Sequence, residues 1–96
     1  MLFHITTRAA WQRAVAIGDY VTASLEDDGF IHLSTEAQWP AVHERFYAGE
    51  PDLVLLVVDP ERLRNEIRFE LVDGDHYPHL YGPLDIGAVV EVRELS

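Results

Sequence analysis

The chain has 96 residues, with 17 acidic and 7 basic side chains and a formal charge of −10, and this length suits a single domain spanning 1–96. Hydrophobic residues make up 48 % and charged residues 25 %, which excludes wholesale disorder. The absence of cysteine excludes disulfide scaffolds, thiolate zinc sites, iron–sulfur clusters and cysteine nucleophiles.

The chain then reads as follows. Leu2 to Thr6 is a short strand, and Thr7 suits a helix N-cap because its hydroxyl can take a free N–H of the first turn. Trp11, Ala14, Val15 and Gly18 fall at helical spacing, with Gly18 fit for the left-handed residue that closes a helix. Tyr20 to Leu25 is irregular or weakly extended, and Glu26-Asp27-Asp28-Gly29 is a solvated charged turn. Phe30 to Ser34 is a second strand. Thr35 and Gln38 then have capping-box spacing ahead of a helix that carries Trp39, Val42 and Phe46 as core residues and His43 at its rim. Pro40 predicts an irregular first turn there.

Leu53 to Val58 is apolar at all six positions, as in a central strand covered on two sides. Asp59-Pro60 stops it, and Glu61 to Leu63 is one helical turn. Ile67, Phe69 and Leu71 alternate with Arg68 and Glu70, predicting a half-buried strand, and Asp73-Gly74 is a hairpin turn. Tyr77 to Tyr81 is a further extended piece, and Ala88 to Leu95 is the last strand. About six short strands and two helices, both in the first half, predict an α+β fold on a bent or split antiparallel sheet.

Several function classes are disfavoured. The six-residue run is far shorter than the roughly 20 apolar residues of a membrane helix, and Met1-Leu2-Phe3-His4 has no leader pattern, so a cytoplasmic protein is expected. Seven Arg and no Lys on a chain of charge −10 make nucleic acid an unlikely partner. A small phosphorylated ligand is still compatible, with Arg8 and Arg68 as its candidate partners.

Chemistry points to the histidines. His4, His32 and His79 lie in or at the ends of predicted strands, beside hydroxyls or turns, and jointly predict one cleft, with Thr6, Ser34 and Tyr81 at its rim. His76 and His79, joined by His4 or His32 and Asp75, form an alternative metal set, but no resident metal is expected. Ser34 beside His32 on one strand face makes only a weak nucleophile–base pair, since no Gly-x-Ser-x-Gly turn accompanies it.

His4-Ile5-Thr6-Thr7, Gly29-Phe30-Ile31-His32-Leu33-Ser34-Thr35 and Pro78-His79-Leu80-Tyr81-Gly82-Pro83 together resemble the small bacterial DUF952 family across nearly the whole chain. Their order also resembles the three motifs of the ADP-ribosyltransferase-like superfamily. That resemblance implies NAD as a cofactor or a related nucleotide-like small molecule as the partner, in an ADP-ribosyltransferase-like split sheet. It gives His4 the ribose next to adenine, the backbone of Ile5 the nicotinamide amide, and His32 the nicotinamide ring, with Ser34 nearby. The third motif departs from the pattern. Many members place a catalytic Glu where this chain has His79, and an imidazole cannot supply the fixed anion that an oxocarbenium-like transition state favours. The implied catalytic pair is then His79 and His32, with the 2′-phosphotransferase branch, which lacks the Glu, as the nearer analogy. A non-catalytic binding module is the competing expectation.

Overall fold

The computed structural model describes residues 1–96. Strand β1 (Leu2–Thr7) leads straight into helix α1 (Arg8–Ile17), and the Thr7 hydroxyl accepts the Ala10 N–H at 3.1 Å. Gly18 closes the helix in the left-handed conformation, at φ 105°. Of the expected apolar stripe, Ala14 is buried and Trp11 packs against the core, whereas Val15 is 52 % exposed.

The irregular segment expected after Tyr20 is instead two elements, strand β2 (Asp19–Tyr20) and helix α2 (Ala23–Asp28). The Thr22 side chain caps α2 by accepting the Leu25 N–H, Glu26 sits in its first turn, and Gly29 ends it at φ 86°. Six residues are too few for a periodic apolar stripe, and none is buried, so the acidic run resembles a turn although its caps make it a helix. There are therefore three helices where two were expected.

The Phe30–Ser34 strand narrows to β3 (Ile31–His32), and helix α3 (Trp39–Tyr47) follows a turn at Thr35. The Gln38 side-chain Oε1 accepts the Thr35 N–H at 3.0 Å, and Pro40 lies in the first turn of α3, where its missing N–H is tolerated. Trp39 and Val42 pack on the sheet, but Phe46 is 64 % exposed and is not a core residue.

Strand β4 (Leu53–Val58) is buried along its whole length. It lies between β1 and β8 (Val89–Glu94), antiparallel to both. Val54, Leu56 and Val58 join Leu2, Ala14 and Tyr20 in the larger core, while Leu53, Leu55 and Val57 join Phe3 and Ile5 under α3. Alternation along an antiparallel strand thus fills two cores from one apolar run.

Strands β5 (Glu66–Val72) and β6 (Asp75–Tyr81) form a hairpin about Asp73-Gly74, both at positive φ (51° and 85°), as a type I′ turn requires. Its second sheet has the order β3-β6-β5. Only the start of β5 packs as the alternation predicts: Ile67 meets the core, but Phe69 and Leu71, farther along the same face, are 54 % and 65 % exposed. β2 pairs with β7 (Leu84–Asp85) as a third, two-stranded sheet. These two-residue strands bring the count to eight, against about six expected. The architecture is α+β and antiparallel throughout.

One backbone bridge joins the two larger sheets. Phe3 and Ser34 exchange both N–H···O=C bonds, each 2.8 Å, at the outer edge of β1. Beyond that point the two sheets diverge, and a cleft opens between them.

Candidate functional site

The cleft has a volume of about 650 Å³ and is lined by β1, the Tyr20–Ser24 segment, β3, the end of α3 and the β5–β6 hairpin. His4, His32 and His79 all line it. Register explains the second pair: His32 stands directly opposite His79 across β3 and β6, and their rings meet edge to face at 5.4 Å. The Phe3–Ser34 bridge then brings His4 alongside, with its Nδ1 2.7 Å from the His32 carbonyl.

β1 also presents backbone to the cleft. Phe3 directs both its N–H and its C=O outward to Ser34. In an antiparallel strand that direction recurs every second residue, so the Ile5 N–H and C=O face the same open edge, and Ile5 lines the cleft. Its side chain points the other way, into the core under α3.

His4 is 8 % exposed, and both its ring nitrogens are occupied. A carbonyl only accepts, so Nδ1 carries a proton toward His32. Nε2 lies 2.8 Å from the Tyr20 hydroxyl, which is also 2.8 Å from Thr6 Oγ1. Burial pushes His4 from its ordinary 6.5 down to about 4, against the opposing pull of the His32 carbonyl, with His32 nearby as a lesser lowering influence. At neutral pH Nε2 is therefore a lone pair facing the Tyr20 hydroxyl, which bridges it to Thr6 Oγ1. Burial also holds the Tyr20 phenol at about 12, so it stays a donor.

His79 is 3 % exposed and stacks on Phe30, with ring centroids 4.0 Å apart and planes 12° apart. Its Nδ1 lies 2.7 Å from Glu70 Oε1, and the Tyr81 hydroxyl donates to that same oxygen. The Tyr81 bond, then the His79 bond, hold the Glu70 carboxyl below its usual range. The same bond to Glu70 raises the Tyr81 phenol. Both directions describe an ionised Glu70 that accepts from the Tyr81 hydroxyl and from His79 Nδ1.

The family model described as "Protein of unknown function (DUF952)" matches residues 5–92. The chain belongs to the DUF952 family. It is also similar to protein CC0527 from Caulobacter crescentus, whose X-ray structure is 35 % identical, with a TM-score of 0.90, over 99 % of this chain and 85 % of that one. An X-ray structure of a CC0527 double mutant gives 34 % identity and a TM-score of 0.90 over the same shares. The solution NMR structure of CC0527 gives 35 % and 0.85, over 99 % and 84 %. No curated protein matches the chain.

Several expected positions differ in this DUF952 domain. Ser34 lines the cleft, and Thr6 does so while joined to Tyr20, but Tyr81 is not among the lining residues and is bonded instead to Glu70. His32 is the exposed member of the trio, its side chain 58 % accessible, and its Nε2 faces Asp28 at 3.7 Å rather than Ser34. Neither expected phosphate partner is free. Arg8 pairs with Asp52 at 3.0 Å and Glu94 at 2.6 Å. Arg68 pairs with Glu66 at 3.1 Å and lies over the Tyr81 ring. The cation that does line the cleft is Arg45, whose nearest carboxylate is Asp73 at 3.9 Å. His76 and His79 project from opposite faces of β6, and no three His, Asp or Glu side chains converge as a ligand set. No helix is long and apolar enough to cross a membrane.

Tyr20, Phe30, Arg45 and Glu70 are the site residues that sequence reasoning missed. Glu70 alone left a usable signal. A two-residue turn at Asp73-Gly74 pairs Val72 with Asp75, and counting back puts Glu70 and His79 on one sheet face in diagonal positions.

Proposed function

We propose that the cleft binds NAD or another ADP-ribose-containing, nucleotide-like compound, as an ADP-ribosyltransferase-like transferase site. The observation that carries this reading is the convergence of His4, His32 and His79, from three separate strands, on one cleft between two antiparallel sheets. Its volume of about 650 Å³ is within the range of small-molecule sites. The outward N–H and C=O of Ile5 suit a carboxamide such as that of nicotinamide, with the Ser34 hydroxyl beside them. The accessible His32 imidazole suits a flat ring, and Arg45 suits one phosphate of a pyrophosphate. His4 contributes through its hold on the His32 backbone and on Tyr20, since both its nitrogens are already bonded within the protein.

A thermal-shift panel of NAD, ADP-ribose, nicotinamide mononucleotide and phosphorylated sugars tests the reading. A ligand at 100 times its Kd stabilises by about 2.7 kcal/mol. At roughly 4–8 °C per kcal/mol for a domain of this size, the Tm rises by about 10 °C or more. His32→Ala should abolish that rise and leave the ligand-free Tm nearly unchanged, because the side chain is 58 % exposed. No shift with any adenine or nicotinamide nucleotide at millimolar concentration overturns the reading.

A further inference from the structure

Glu70 does not itself line the cleft but stands beside His79, diagonally across the strand pair on the same sheet face. Its Oε1 faces two partners, His79 Nδ1 at 2.7 Å and the Tyr81 hydroxyl. A carboxylate oxygen only accepts, so both partners donate, and the proton of a neutral His79 ring is on Nδ1. Nε2 is then a bare lone pair. It has no hydrogen-bond partner in the protein, yet no buried side-chain nitrogen or oxygen lacks one, so Nε2 keeps contact with solvent, and His79 is one of the residues that line the cleft. Phe30 covers one face of the ring, stacked at 4.0 Å.

We propose that His79 Nε2 is the general base of this site, accepting the proton of an O–H group of the bound ligand or of water, and that Glu70 is its positioning residue. In the step, the O–H bond breaks, its electron pair stays on oxygen as the nucleophile, and the proton forms a new bond to Nε2. The resulting imidazolium keeps its Nδ1–H on the Glu70 carboxylate, which stabilises the charge. Tyr81 fixes the same carboxylate oxygen through a second hydrogen bond. This deepens the proposed reading, because a ribose supplies such hydroxyls and the carboxylate absent from the third motif is restored one strand away, acting through the histidine. The ligand class rests on that reading, whereas the proton's position on the ring does not.

The test is ¹⁵N NMR of the ligand-free, histidine-labelled protein in the neutral pH range, with His79 assigned by the signals lost in His79→Gln. Ring nitrogen shifts and couplings should show His79 protonated on Nδ1 and bare at Nε2. Glu70→Gln should keep that tautomer, because its amide oxygen can still accept. Glu70→Ala should lose it and revert to the Nε2–H form that free imidazole side chains favour. Glu70 is only half-buried, so a dispersed amide spectrum for both variants is expected and separates tautomer loss from unfolding. An Nε2–H ring in the parent protein, or an unchanged tautomer in Glu70→Ala, overturns the proposal. Because no ligand is present, a nucleotide panel without hits leaves this result standing, and a wrong tautomer leaves a nucleotide hit standing.

Discussion

Acidification should destabilise this protein through His4, and replacing that side chain should remove the effect. In the folded chain His4 is buried and neutral, pushed from 6.5 to about 4, while in the unfolded chain it takes a proton at its ordinary value. Below about pH 6.5 the unfolded state therefore binds the extra proton, and stability falls as pH falls. The contribution is intact above that value and fully lost once pH has dropped through about 4. At about 1.4 kcal/mol per pH unit, the gap from 6.5 to about 4 amounts to about 3 kcal/mol. Urea unfolding of the parent and of His4→Gln, from about pH 7.5 down to about pH 4, isolates the effect. The Gln amide can still donate to the His32 carbonyl and accept from Tyr20, but it does not titrate. Relief of self-repulsion from the −10 charge, and protonation of Glu70 and Asp75, whose hydrogen bonds hold them below the usual carboxylate range, act on both proteins and cancel in the difference. The parent should lose about 3 kcal/mol more than the variant across that window. Parallel curves, agreeing within a few tenths of a kcal/mol, would refute a buried neutral His4.

Tyr20→Phe removes the hydroxyl between His4 and Thr6 and leaves a buried imidazole nitrogen unpartnered, so it should cost about 1–3 kcal/mol in urea unfolding. In combination with His4→Gln the loss should be non-additive, because the two side chains share one bond. Gly82→Ala should cost a similar amount, about 1–3 kcal/mol. Gly82 has φ 153°, and a Cβ there would meet the Asn65 amide well inside contact distance, while Asn65 donates to the Pro83 carbonyl at 2.8 Å. Adding Asn65→Ala should recover part of that loss in the same assay, and no recovery would mean that the backbone angle alone sets the cost.

Much of the fold was legible because its signals are local. The six-residue apolar run is the buried central strand, Thr7 and Gly18 delimit the first helix, and Asp73-Gly74 turns the hairpin. What escaped was either too short to show a period, as in α2, β2 and β7, or apolar for another reason. Phe46 is spaced like a core residue but lines the mouth of a cleft, and an amphipathic stripe looks the same in both cases.

The sequence by itself determined that an α+β fold forms, which strand fills its two cores, and that three strand histidines are the residues worth following. Only tertiary structure decided what each histidine does, because an imidazole takes its role from what stands at hydrogen-bond distance on each nitrogen. Tyr20, 16 residues from His4, and Glu70, nine residues from His79, become partners only once separate strands are in register. Arg8 and Arg68 show the converse. Their charge is plain in the sequence, but carboxylates at Asp52, Glu94 and Glu66 already occupy them, and the fold places Arg45 at the cleft instead.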